Sequence, residues 1–268
     1  MRAAGYASGV LFNLVFPDAC RLCEQPLTNV SRIPVCPACL SLPQPLSAEF
    51  FCRACRTPFI DDYPLDEEGL CSACRESLVN FDTAYSFGSY EGPLRKLIHL
   101  FKYGKVETLA APLSKLLIQA LPMDQNFDAV IAMPMHWRKR WERGFNQAEL
   151  LAEPVAKRYR LKLSGNLRRK RYTKAQAGLT ELQRRENLKG SFIVKAPENI
   201  RAKRVLLIDD VFTTGATLRA AAATLKSAGA ARVSALTLAR VDRRGFKEAS
   251  TPSGTERRPA LLAGIGVN

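Results

Sequence analysis

Val205-Leu-Leu-Ile-Asp-Asp-Val-Phe-Thr-Thr-Gly-Ala-Thr-Leu218 is the stretch from which the rest of the chain can be read. Val205 to Ile208 is a short, continuous apolar run, the pattern of a strand buried on both faces. Asp209 and Asp210 are expected where that strand ends. Thr213, Thr214, Gly215, Ala216 and Thr217 form a small, hydroxyl-rich turn. It opens an Ala/Leu-rich helix expected to run to about Ala228 and to stop at Gly229. A tight turn feeding a helix presents free backbone N–H groups and the positive end of the helix dipole, which together suit a phosphate. Gly215 lets the backbone come close, and the threonine hydroxyls add donors. Two adjacent acids before such a cradle can accept hydrogen bonds from sugar hydroxyls, so the natural ligand is a sugar phosphate. The plain alternative, an ordinary strand–turn–helix with surface acids, does not need two acids, three threonines and a glycine together. A Walker loop is excluded, because the Gly-Lys-Ser/Thr ending is missing.

On these residues the stretch resembles the binding signature for phosphoribosyl pyrophosphate (PRPP) in the type I phosphoribosyltransferases. The resemblance implies that Asp209 and Asp210 hold the ribose hydroxyls. It also implies that Thr213 to Thr217 hold the 5-phosphate, and that Mg²⁺ accompanies PRPP.

Upstream, Phe127 to Met133 reads as a buried strand ended by Pro134. The basic cluster after it places Arg138, Arg140 and Arg143 at the carboxyl edge of a sheet, where an arginine fork can clamp phosphate oxygens. Trp137 and Trp141 either pack or stack on a base. Asn146 is an expected N-cap for a helix running to about Tyr159. Leu94, Leu97, Ile98 and Phe101 mark one face of another helix, after a Glu91-Gly92-Pro93 turn. His99 lies off that face. Lys102, at its end, either reaches a phosphate or simply complements the helix dipole. Leu109 to Leu121 is a further amphipathic helix. Phe81 to Tyr90 and Arg232 to Leu238 read as strands, the first alternating in polarity. The most basic run, with Arg168, Arg169, Lys170, Arg171, Lys174 and then Gln176, is either a solvated face or a mobile loop that closes on an anionic substrate or nucleic acid. Strands and helices alternate after residue 81, which predicts an α/β fold with a parallel sheet of about five strands flanked by helices.

All eight cysteines precede that region, in four Cys-x-x-Cys pairs: Cys20/Cys23, Cys36/Cys39, Cys52/Cys55 and Cys71/Cys74. Each pair can turn two sulfurs toward one ion, and two pairs complete a four-thiolate tetrahedron. Eight ligands therefore predict two structural zinc ions. Consecutive pairing gives two zinc ribbons, and a crossed arrangement stays open at this point. Disulfides are the alternative, disfavoured because the chain otherwise looks cytoplasmic, where thiols stay reduced. A segment this short buries little core, so metal is expected to supply most of its folding free energy.

The chain of 268 residues is 47% hydrophobic, as a folded protein should be, and carries a net charge of +15. That charge favours phosphate-rich partners, nucleic acid such as single-stranded DNA or a polyphosphorylated substrate, with a basic but solvated surface as the plain alternative. No apolar run reaches the ~18 residues of a membrane span. The expected organisation is a short amphipathic helix over 1–17 in place of a signal peptide, a double zinc ribbon over 18–78, a phosphoribosyltransferase-like domain over 81–242 and a disordered tail over 243–268.

Five features together narrow the resemblance. They are the cysteine array, Phe101-Lys-Tyr-Gly104, Arg143-Gly-Phe-Asn-Gln147, Asp209 to Thr217, and Arg171 to Gln176 with Arg185-Glu-Asn187. Their combination resembles the ComF family over about residues 18–242. That resemblance implies a cytoplasmic protein of natural competence or DNA utilisation, handling incoming single-stranded DNA beside DNA-uptake proteins. Three function classes stay open: a phosphoribosyltransferase of unread acceptor, a nucleic-acid-binding component, and an interaction scaffold that keeps the fold only as architecture.

Overall fold

The structure is a computed structural model that describes residues 19–27, 32–75, 80–170 and 190–241. The expected helix over 1–17, the expected tail over 243–268, and Arg171, Lys174, Gln176, Arg185 and Asn187 lie outside them. In chain order the elements begin with α1 (Pro37–Ser41), β1 (Phe50–Phe51), β2 (Pro58–Phe59) and α2 (Ser72–Arg75) in the cysteine-bearing segment. There follow β3 (Thr83–Ser89), α3 (Gly92–Lys102), α4 (Ala110–Gln119), β4 (Ala129–Ala132), α5 (Trp137–Arg143) and α6 (Gln147–Arg158). The chain continues with β5 (Leu163–Ser164), β6 (Leu167–Arg169), β7 (Phe192–Val194), β8 (Arg204–Phe212), α7 (Ala216–Ser227) and β9 (Arg232–Arg240).

Five strands form one parallel sheet in the order β3-β9-β8-β4-β5, as the alternation of elements predicted. β8 is central, which is why Val205 to Ile208 tolerate no polar side chain. Leu206 and Ile208 join the core that holds Leu97 of α3, Leu113 of α4 and Leu151 of α6. Val205 and Leu207 join the core that holds Leu218, Ala221 and Leu225 of α7. Helices therefore cover both faces. β6 and β7 pair antiparallel as a separate two-stranded ribbon.

Several expectations need correction. β8 does not end at the acids but runs through them to Phe212, because β9 keeps pairing with it as far as Phe212↔Arg240. β3 is buried along nearly its whole length, and polar positions within it pair inside the sheet, Ser86 with Thr237 at 2.8 Å. Gly92 and Pro93 form the first turn of α3, where a proline needs no N–H partner, so no separate turn stands there. The apolar face read for α3 is as expected, with Leu94, Leu97, Ile98 and Phe101 all buried. The basic run begins as a strand, β6.

The cysteine segment is less self-contained than its length implied. Cys20 and Cys39 lie in the core shared with α3 and α4, and Cys52, Cys55, Cys71 and Cys74 in the core shared with Phe212 and α7. Backbone bonds tie it to β3, from Ala84 N–H to Ala54 O at 2.8 Å and from Leu46 N–H to Phe87 O at 2.6 Å. Packing on the sheet thus adds to whatever a metal contributes. Among the described residues no helix is long and apolar enough to cross a membrane.

Candidate functional site

The site grows from an asymmetry in the sheet. β4 stops pairing with β8 at Ala132↔Ile208, and a last bond runs from Met133 N–H to Ile208 O at 2.7 Å. β9 continues. From Asp209 to Phe212 the strand is therefore bonded on one side and open on the other. Pro134, which has no N–H to donate, follows at the point where the two strands part. Both acids sit on this half-paired stretch, each partly buried, and Asp209 Oδ1 accepts the N–H of Asp210 at 2.9 Å.

The turn that follows is shaped by Phe212 and Gly215. Gly215 has a φ of +72°, and a Cβ there would lie 2.5 Å from Phe212 Cζ. Only glycine fits both the conformation and the space. Thr214 is committed to the turn, since its Oγ1 accepts the N–H of Ala216 at 3.2 Å. Its carbonyl oxygen accepts from Arg219 Nη2 at 2.6 Å. Arg219, mostly buried on the first turns of α7, braces the turn from behind and had no signal in the sequence beyond its place in the helix. Thr213 is exposed and Thr217 half-buried, beside the free N–H groups of the helix start.

Cations face the acids. Lys102 at the end of α3 reaches Asp210 Oδ1 at 2.8 Å, with both side chains largely out of water. Burial pulls its pKa down, but Asp210 and then Asp209 outweigh that and hold it above the ordinary lysine value. A cavity of about 240 Å³ opens beside it, lined by Lys102, Tyr103, Lys105, Lys139, Glu142 and Arg143. Lys139 is held below the ordinary lysine pKa, first by burial, then by Arg169 and Arg143. Its surroundings are thus short of negative charge. Arg169 of β6 is likewise lowered by burial and partly restored by Asp209. Asp209 itself is pushed up to about 7, first by burial and then by Asp210, against the pull of Lys102 and Arg169. Crowded cations beside paired acids make a place for an anion whose neighbouring hydroxyls need acceptors.

The three arginines of α5 separate. Arg143 lines the cavity, donates to Gln147 Oε1 at 3.1 Å, and lies 5.2 Å from the Tyr103 ring centroid. Arg140 turns to Glu149 at 3.1 Å. Arg138 lies over Trp137. Helical spacing sorts them, since Lys139 and Arg143 are four residues apart on one face, and that spacing would have picked out Lys139. Asn146 caps α6 by accepting the N–H of Ala148 at 3.1 Å and donates to Met133 O at 3.2 Å, which locks α6 to the end of β4. Arg168 and Lys170 are exposed on either side of the half-buried Arg169.

The cysteines gather in two sets, Cys20/Cys23/Cys36/Cys39 and Cys52/Cys55/Cys71/Cys74, so consecutive pairing holds. Within each set the sulfurs lie within 4.8 Å of one another, with Cys23–Cys36 at 3.8 Å and Cys55–Cys71 at 3.7 Å. Disulfide sulfurs would be ~2.05 Å apart. A tetrahedron with zinc–sulfur arms of ~2.3 Å has edges of ~3.8 Å. Backbone N–H groups point at the sulfurs, Cys36 N at Cys20 Sγ (3.3 Å) and Cys71 N at Cys52 Sγ (3.4 Å), which stabilises thiolate. Both sets could hold zinc. Arg240, at the end of β9 and unmarked in the sequence reading, joins the second set to the site. It donates to Cys55 O at 2.5 Å and to Thr57 Oγ1 at 2.6 Å while lying 4.9 Å from the Phe212 ring centroid.

A phosphoribosyl transferase domain model matches residues 146–256. The DNA utilization protein YhgH of Salmonella typhi is 30% identical over 235 residues, covering 85% of this chain and 99% of that protein. Competence protein F of Haemophilus influenzae is 31% identical over 169 residues, covering 60% of this chain and 74% of that protein. Among solved structures, the glutamine PRPP amidotransferase of B. subtilis is 21% identical, covering 48% of this chain and 26% of that chain, at a TM-score of 0.35, which is too loose to argue from.

Proposed function

Since the chain belongs to the ComF family of phosphoribosyltransferase-like proteins, we propose that the cleft at the end of β8 binds PRPP or a related ribose 5-phosphate. The observation that carries this reading is the half-paired end of β8. Asp209 and Asp210 stand there between a glycine turn opening α7 and the cations Lys102, Lys139, Arg143 and Arg169. Asp209 and Asp210 would take the ribose hydroxyls, and Thr213 to Thr217, the turn and the first residues of α7, the 5-phosphate. The Lys102–Arg143 cavity would take the diphosphate. The carboxylates suit Mg²⁺ only together with ligand phosphates, since two acids make no cage of their own. When bound, Mg²⁺ supplies neutralising charge at the diphosphate. The two cysteine sets would each hold one structural zinc ion.

The wider role in this reading is natural competence or DNA utilisation, in the cytoplasm, with single-stranded DNA and DNA-uptake proteins as partners. The names of the relatives and the net charge of +15 support it. A phosphoribosyltransferase activity is the second reading. It is favoured by Asp209, whose pKa of about 7 suits proton transfer near neutrality.

Calorimetric titration of PRPP with Mg²⁺ tests the site. The protein should bind, and Asp209→Asn with Asp210→Asn should weaken binding at least about tenfold, or ~1.4 kcal/mol. Undiminished binding by that variant would overturn the assignment. Pyrophosphate release with candidate acceptors decides between binding and catalysis.

A further inference from the structure

We propose that the outer face of α5 is a stacking platform for unpaired nucleobases, so that single-stranded nucleic acid binds on the side of this helix away from the cleft. This rests on the DNA-handling part of the reading above and is independent of the ribose-phosphate site. α5 buries none of its residues, and its two tryptophans stand in water, Trp137 at 67% and Trp141 at 86% of full exposure. Four residues apart, they share one face. The cleft-lining residues Lys139, Glu142 and Arg143 lie round the other side of the helix. Arg138 and Arg140 flank the tryptophan face, Arg138 with its guanidinium 5.4 Å from the Trp137 ring centroid and Arg140 exposed while paired with Glu149 at 3.1 Å.

Two broad exposed rings on one helix face, with His136 and Arg138 against the ring of Trp137, mark a surface that something else covers. The composition of the face says what does. Trp137-Arg-Lys-Arg-Trp-Glu-Arg143 has four cations against one acid and no aliphatic side chain. A membrane-surface helix needs an apolar face of several aliphatic residues, and this helix has only the two rings. Successive bases on aromatic rings, with phosphates meeting arginines between and beside them, match what is present. A duplex, whose bases are already stacked, cannot use the rings in that way.

The test exploits composition, for Trp137 and Trp141 are the two tryptophans of the chain, so tryptophan emission reports on this face alone. The full chain is titrated with oligo(dT), following emission together with the anisotropy of a labelled oligonucleotide. Emission should be quenched in step with binding, affinity should fall steeply with added salt, and a duplex of the same length should quench little. Trp137→Ala with Trp141→Ala should weaken oligonucleotide binding on the order of tenfold or more and leave PRPP binding unchanged, while Trp137→Phe with Trp141→Phe should keep most of the affinity. Oligonucleotide binding with no quenching, and equal affinity in the alanine variant, would overturn the platform and leave the DNA-handling reading standing. No oligonucleotide binding at all would overturn both. A blue shift with anionic vesicles but not with oligo(dT) would replace the nucleic acid by a membrane surface.

Discussion

Lys102 Nζ and Asp210 Oδ1 are 2.8 Å apart, with only 13% and 15% of their side chains exposed, so the end of α3 and the half-paired end of β8 are joined by an ion pair largely shielded from water. The pair does two things. It neutralises one of two adjacent carboxylates, and it sets an ammonium at the mouth of the cavity. Lys102→Met keeps the stem and removes the charge, leaving Asp210 without this ion-pair partner. Breaking a shielded pair costs about 3 kcal/mol. The variant should unfold several degrees lower in a thermal melt and bind PRPP at least tenfold more weakly. An unchanged melt would show the pair to be idle.

The raised pKa of Asp209 carries a stability signature. In the folded protein its carboxyl holds a proton up to about pH 7, whereas its ordinary value is 3.8. Between those values the folded state binds more protons than the unfolded, so stability falls as pH rises through the window and levels off above it. Asp209→Asn removes the ionisation. Denaturant midpoints from pH 4 to 8 should show a decline in the wild type that is absent in the variant. A wild-type curve that rises through the window would contradict the assigned environment of Asp209.

Gly215→Ala tests the turn. The new methyl would meet Phe212 Cζ at 2.5 Å on a backbone already at φ +72°. A left-handed non-glycine residue costs on the order of 1–3 kcal/mol, and the clash adds to it. Binding of the 5-phosphate end, read with ribose 5-phosphate alone, should be lost. Phe212→Leu in addition should relieve the clash but not the backbone, so recovery should be partial.

The sheet was legible because Val205 to Ile208 and Ala129 to Met133 are apolar without interruption, the pattern of strands buried on both faces. The cysteine grouping followed from spacing, although spacing alone left the pairing open. The acids were legible as a pair but not as part of the strand, because β9 continues past the end of β4 and a tertiary neighbour, not a local signal, extends β8. Arg219 and Arg240 were invisible for the same reason. Each acts by folding back on a backbone carbonyl, Arg219 on Thr214 in the turn before its own helix and Arg240 on Cys55, 185 residues away. Lys139 was hidden within a cluster of cations, and only the helix register tells it from Arg138 and Arg140.

The two cysteine sets should not be equivalent. In the first, Cys23 is exposed and Cys36 half-buried, whereas all four cysteines of the second are buried. A chelator should therefore remove the first metal ion faster than the second, giving two phases of release and a total near two ions per chain. The second set also reaches the site. Arg240 is fastened to Cys55 O and Thr57 Oγ1 and lies on the Phe212 ring, which in turn fills the space that a side chain at Gly215 would need. Loss of that knuckle should free Arg240, let Phe212 move and loosen the turn, so Cys52→Ser with Cys55→Ser should weaken ribose 5-phosphate binding along with metal content. Cys20→Ser with Cys23→Ser should lower metal content by one ion and leave binding as it was. Arg240→Met separates the link from the metal, since it keeps every thiolate and loses hydrogen bonds from a charged donor, each worth about 1.5–3 kcal/mol. That variant should retain both ions by elemental analysis and still bind ribose 5-phosphate more weakly. Full binding in the Arg240→Met protein would mean that the second knuckle supports the fold without reaching the cleft.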